Sequence, residues 1–298
     1  LERAREILLE VRRRRPQPAL DDKILTSWNA LTIRALVRAA AVLDDTRYLG
    51  AARAAADFID RCLTRPDGRL LRSWRHGDAR YDAYLDDHAF FAAARLDLFE
   101  ATGDERDLRR SQDLARILLD SFADAEAGGF FFTAADHEEL IDRPKVVFDG
   151  SLPSGNAIAL QTLLRLAHLT GHEPYRAAVE KGLTLFAAAM RSQPFGTASL
   201  IAVLDDFLNG PVEVIVVGDR SAPATRSLVR AAYSVWTPWL SVLVVDPASP
   251  DETRPLPARA KPCTAGLPTA YVCHSFQCSA PVTTPEALTE TLHRATPA

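Results

Sequence analysis

An α/α toroid of helical hairpins, followed by a small α/β appendage, is the fold class this sequence predicts. Three observations predict it. A helix–turn–helix pattern recurs three times. The first helix of each pair is apolar on nearly every side yet opens on polar residues. The texture then changes to strand-like runs at residue 211.

Taken in chain order, a helix near 1–14 ends in "RRRR" at 12–15, read as a solvated helix end. The three repeats follow at 36–59, 96–119 and 163–186. Tyr48, Leu108 and Tyr175 fall at the same place just after each turn, 60 and 67 residues apart. Trp28, Asp87 and Gly155 lie 20, 21 and 20 residues before them, where the first helices begin. The turns "TGD" (102–104) and "TGHEP" (170–174) supply a C-cap glycine, and the second of them a proline early in the next helix. A helix hydrophobic all round, such as the one containing "AFFAAA" at 89–94, is an inner helix. The striped second helices, such as 109–122, are outer ones. Segments 66–78 and 127–136 read as small β-hairpins or extended loops, and a fourth inner helix is expected over 197–210. In such a ring the polar starts of the inner helices converge on a central cup.

From 211 the reading is a buried strand (211–219), a helix (222–234), a strand (240–246), a proline-rich loop (247–262), a strand (269–282) and a final helix (285–294). Residues 1–210 are therefore expected to form the helical-hairpin region and 211–298 the appendage. "VVGD" lacks the Gly-x-Gly-x-x-Gly spacing of a dinucleotide site, and no cofactor is expected.

Composition narrows the function classes. A net charge of −4 and a pI near 6.0 leave no basic footprint for nucleic acid. No segment has the eighteen or so unbroken apolar residues of a membrane helix. The 31 Arg against 4 Lys, with abundant Ala, Leu and Asp, read as GC-rich coding bias, and a bacterial, cytoplasmic protein is expected. Leu1 opens the chain and Met190 is the only methionine, so the sequence is expected to begin inside a longer protein. No secretory signal is visible, although a start inside a longer chain would hide one. Of the four cysteines, Cys62 reads as a small buried hydrophobe. Cys263, Cys273 and Cys278, with His274, match no standard zinc spacing, so no metal is expected. Residues five apart on a straight strand face opposite sides, which argues against a Cys273–Cys278 disulfide.

The stretches "DDKILTSWNALTIRAL" (21–36), "AYLDDHAFF" (83–91), "GGFFFT" (128–133), "RPKVVFDGSLPSGNAIA" (143–159) and "AYVCHSFQCSAPV" (270–282) resemble the thioredoxin-domain-containing family related to spermatogenesis-associated protein. The resemblance runs along essentially the whole chain. It implies a helical region like that of six-hairpin glycosidases and N-acylglucosamine 2-epimerases. It also implies an N-terminal thioredoxin-like domain, to which nothing here corresponds, as partner within the same protein. Three hairpins and two further helices fall short of twelve helices, so the chain looks like the C-terminal portion of such a protein. It departs from the family at Ala30 (usually Gly), Thr32 (usually Met) and His88 (usually Tyr). The first two are packing changes; the third alters a group at the cup's mouth.

The candidate catalytic residues are Asp86, Asp87 and His88. Paired carboxylates perform acid–base work in glycoside cleavage, but adjacent helical residues point about 100° apart. One aspartate is therefore expected to cap the helix and the other, Asp86, to face the cup. A working pair needs a second carboxylate, with Asp22 or Asp149 the candidates. Trp28 offers a face for stacking on a sugar ring, against a core role. Asn29 and Tyr84 complete the lining. Ser154 and Asn156 offer hydroxyl contacts, with N-capping the competing role of Ser154. Lys23, Arg143 and Lys145, with Asp22, are expected to form an ion pair closing the ring or a carboxylate-binding subsite. An epimerase needs an acid–base group on each sugar face. His168 lies roughly 18 Å along its helix from Asn156, at the opposite end, so a two-histidine scheme is poorly served. The expected ligand is a sugar or sugar acid. The competing class is a structural or redox-accessory module for the thioredoxin-like domain.

Overall fold

The computed structural model describes residues 1–138, 141–237, 239–274 and 277–295. Helix α1 (Glu2–Arg13) opens the chain and buries none of its residues. A two-residue strand β1 (Ile24–Leu25) leads into α2 (Thr26–Leu43), which returns as α3 (Thr46–Cys62). A hairpin of β2 (Leu71–Arg75) and β3 (Asp78–Asp82) precedes α4 (Leu85–Thr102) and α5 (Glu105–Ile117), the latter running on into one π-helical turn. Then come α6 (Gly155–Thr170), α7 (Glu173–Ser192) and α8 (Ala198–Asn209).

The hairpin turns are set by local chemistry. Asp45 and Asp104 cap α3 and α5, accepting from the amides of Arg47 and Arg106. Gly103 ends α4 at φ 71°, a left-handed conformation that costs glycine nothing. Helices α2, α4, α6 and α8 pack side by side as an inner row, with α3, α5 and α7 outside. The mainly helical part is thus an arc of an α/α toroid. Helix α4 buries thirteen residues and α6 twelve, matching apolar runs with no polar face. Helix α2 buries only five and leaves Val42 and Leu43 exposed, so it forms the open edge of the row.

The segment after α8 folds as β4 (Val212–Val217), α9 (Pro223–Ser234), β5 (Leu240–Val245), β6 (Thr269–His274), β7 (Gln277–Cys278) and α10 (Pro285–Ala295). The sheet order is β5-β4-β6-β7, with β4 and β5 parallel and the rest antiparallel. Alternation along β4 explains its two-sided burial. Val212, Val214 and Val216 meet Leu228, Leu288 and Leu292 of α9 and α10. Ile215 and Val217 turn the other way and join the core of the helical arc.

Two expectations are corrected. The single strand over 269–282 is a hairpin, β6 and β7; residues 275 and 276 of that stretch lie outside the described residues. Because the chain reverses there, Cys273 sits directly opposite Cys278 with Cα atoms 4.0 Å apart, and the two form a disulfide. The argument against that bond assumed a straight strand. The segment 127–136 is the extended loop of the two alternatives, with Phe130 forming an isolated antiparallel bridge to Ala123.

Candidate functional site

The inner helices run parallel, so the starts of α2, α4 and α6 share one end of the arc. At the centre lies the first turn of α4. The Asp87 carboxylate is fully buried: Oδ1 accepts from the Ser27 amide at 2.9 Å, Oδ2 from the Tyr84 amide at 3.1 Å, and Arg72 approaches Oδ2 at 3.2 Å. It therefore closes its own helix in a capping box and ties α2 to α4. Burial, and then the charge of Asp86, push its carboxyl up to about 6, against the pull of Arg72. Asp86 is only partly buried. Its Oδ1 accepts from the Asp87 amide, Arg72 stands 3.9 Å away, and Oδ2 accepts no hydrogen bond among the described residues. Burial raises this carboxyl too, again opposed by Arg72.

Gly155, at the start of α6, lets the two helix starts meet. A Cβ there would lie 3.1 Å from Leu85 Cγ and 3.3 Å from the Asp86 nitrogen. Ser154 caps α6 by accepting from the Ala157 amide at 3.1 Å. Asp149 binds the amides of Ser154 and Ser199 at 2.9 and 2.8 Å, joining the starts of α6 and α8. Asn156 is fully buried and spends its amide on Phe130 and on the Val146 carbonyl. These three side chains position loops and have little left for a ligand.

The remaining candidates separate. Trp28 is 60% exposed at the start of α2, so it is no core residue. Asn29 donates to the carbonyl of Leu25, the residue that caps its own helix. Tyr84 stacks on Phe132 at 4.7 Å, under the Arg72 guanidinium. His88 is buried and both ring nitrogens are engaged: Nε2 accepts from the Leu70 amide at 3.2 Å and Nδ1 faces the Tyr84 carbonyl at 3.0 Å. Burial lowers its pKa to about 4, so it stays neutral and holds the β-hairpin against α4. Asp22, in the exposed loop before α2, pairs with Arg75 and His76 of the β2–β3 hairpin, and Lys23 pairs with Asp21 in its own loop. Lys145 pairs with Asp124 at 2.7 Å and holds that carboxyl down to about 2. Arg143 donates to the Thr133 carbonyl and lies over Phe131. An ion pair between the two charged loops is thus not formed; Asp22 turns to the β2–β3 hairpin and Lys145 to Asp124.

Four neighbours were not foreseen. Arg72 reaches the carboxylates from a β-strand whose pairing sequence alone does not place. Phe148 and Phe195 are exposed in the loops before α6 and α8, so three inner-helix starts carry an exposed aromatic side chain. Their sequence signal, an aromatic a few residues before each start, is weak. His137 lies 5.5 Å from the Tyr84 ring.

No family model matches the chain. Among solved structures it is similar to a cellobiose 2-epimerase from Bacillus thermoamylovorans, with TM-score 0.46 and 16% identity over 55% of this chain and 44% of that one. It is also similar to an inactive α-1,6-mannanase variant from Salegentibacter in complex with α-1,6-mannotriose, with TM-score 0.45 and 17% identity over 54% and 46%. Among curated proteins, spermatogenesis-associated protein 20 of Homo sapiens is 31% identical over 304 residues, which are 97% of this chain and 38% of that protein. An uncharacterized protein of Caenorhabditis elegans is 28% identical over 305 residues, 99% and 41% respectively. The chain spans about two-fifths of these relatives. The expectation of a bacterial protein is corrected by them: the curated relatives are from human, rat, mouse and worm. The arginine-rich composition reports base usage, which does not mark a kingdom.

Proposed function

We propose that the end of the arc where α2, α4 and α6 begin is a carbohydrate-binding cup, and that Asp86 is its working carboxylate. The observation that supports this most is the division of labour between the two aspartates. Both oxygens of Asp87 are committed, whereas Asp86 keeps one oxygen free of hydrogen bonds, with Arg72 3.9 Å from the other. A carboxyl raised by burial holds a proton closer to neutrality, as a general acid or a donor to a sugar hydroxyl requires. Trp28 supplies an apolar face for a sugar ring. Asp22 and Asp149, the sequence candidates for a second carboxylate, are engaged elsewhere. Any glycosidase-like or epimerase-like step therefore draws its second group from the rest of the longer protein, which the resemblance gives a thioredoxin-like domain.

A thermal-shift screen of neutral sugars and sugar acids on the full-length protein tests this. A ligand at a hundredfold excess over Kd stabilises by about 2.7 kcal/mol. The expected result is a hit whose shift is lost in Asp86→Asn. If no sugar moves the midpoint, while removing the thioredoxin-like part destabilises the toroid, the scaffold reading replaces this one.

A further inference from the structure

The opposite end of the inner row holds a second feature. A cavity of about 540 Å³ opens between the inner helices and the appendage, within the size range of small-molecule sites. It lies beyond Asp97, ten residues from Asp87 and so roughly 15 Å along α4 from the mouth. Its floor is charged where an inner-helix face is ordinarily apolar. Arg34 from α2 and Arg165 from α6 bind Asp97 of α4 at 2.8 and 2.6 Å, and Arg165 also binds Glu100 at 3.0 Å. Two carboxylates and two guanidiniums there balance.

Arg230 at the rim pairs with Asp44 at 3.0 Å, but three further arginines do not balance. Arg220 is mostly buried in the wall between helices and sheet; it donates to the Ala101 and Val244 carbonyls at 2.6 and 2.9 Å and has no carboxylate partner among the described residues. Burial without a counter-charge lowers its guanidinium to about 10. Arg38 lies over the Tyr233 ring at 4.8 Å, and neither it nor Arg226 forms an ion pair among the described residues. Three unpaired arginines therefore face one cavity, beside the Tyr233 hydroxyl, the Gln161 amide and the Trp239 ring. Arg38 and Arg226 are exposed at the rim, whereas Arg220 is largely buried, and leaving a buried cation without a counter-charge is costly unless an anion completes the site.

We propose that this cavity is a binding site for a small hydroxylated anion, a sugar acid or sugar phosphate, held by Arg38, Arg220 and Arg226. The arginines take the carboxylate or phosphate. Tyr233 and the outer lone pairs of Asp97 and Glu100 meet the hydroxyls. The site is separate from the mouth and does not depend on Asp86.

Titration calorimetry on the 298-residue chain tests it, with D-glucuronate and glucose 6-phosphate as probes and glucose and inorganic phosphate as controls. Saturable binding of at least one anionic sugar is expected, and the stronger of the two names the anionic group. Arg38→Met, on the exposed rim, is expected to weaken it by about tenfold, and Arg226→Met likewise. Arg220→Met is the stronger variant, but it also breaks the contacts to two carbonyls; the rim variants keep the test valid if it fails to fold. Asp86→Asn is expected to leave this binding intact, which separates its failure from that of the cup. Equal binding of glucose, equal binding of inorganic phosphate, no binding of either anion, or binding undiminished in both rim variants would each overturn the proposal.

Discussion

Asp87 holds two backbone donors and a guanidinium from one fully buried position. Truncating it strands all three, so Asp87→Ala is expected to cost about 2 kcal/mol or more in urea unfolding. Asp86→Ala, which removes a carboxylate with one hydrogen bond to the Asp87 amide and one oxygen uncommitted, is expected to stay within about 0.5 kcal/mol of wild type. Equal losses would make Asp86 structural and remove it from the cup. The same pair gives a pH signature. The Asp87 carboxyl lies near 3.8 when unfolded and at about 6 when folded, so between those values the folded state binds more protons. Stability from this group is therefore gained as pH falls from about 6 toward 4 and lost as pH rises through that window. Asp86→Asn removes a charge that contributes to the rise. The difference in unfolding free energy between wild type and this variant should accordingly change across about pH 4 to 7. A flat difference would show that the two carboxylates do not interact.

The meeting of α4 and α6 turns on one glycine. Gly155→Ala drives a methyl against Leu85 and the Asp86 nitrogen, and overpacking of this kind costs about 1–3 kcal/mol. The variant's melting temperature measures it; an unchanged value would mean that the helix starts separate freely. The sheet offers a second test. The Cys273–Cys278 bond closes a loop of sequence separation five, for which chain entropy predicts a loss of roughly 2 kcal/mol on reduction. The hairpin repeat behind these elements was legible because 3.6-residue periodicity, capping aspartates and turn glycines are local. Trp28 and Asp86 were legible for the same reason, as polar or amphipathic groups at helix starts. The disulfide was not, because it depends on a chain reversal that a run of strand-forming residues conceals. Arg72 and the Arg34–Asp97–Arg165 cluster were not, because each joins elements 15 to 68 residues apart.

At the scale of the whole molecule, the helical arc and the appendage share apolar surface. Ile215, Val217, Leu243 and Val245 of the sheet belong to the same core as Phe90, Phe91 and Phe99 of α4. We propose 1–210 and 211–298 as two regions of sequence, but the packing predicts that they do not fold independently. A fragment ending at 210 uncovers that face and should aggregate or melt far below the parent chain. The parent has an open edge of its own. Ile7, Leu8 and Val11 are exposed on α1, and Trp28, Val42 and Leu43 on α2. Val42 and Leu43 lie on α2, the edge helix of the row, and α1 buries none of its residues. Exposed apolar surface of this kind favours association. The chain is therefore expected to self-associate in a concentration-dependent way in light scattering. Replacing Leu8, Val11 and Leu43 together by serine should reduce association without lowering the melting temperature, because none of the three is buried. Monodisperse monomer at all concentrations would refute this, and would mean that the edge of the arc is stable in water as it stands.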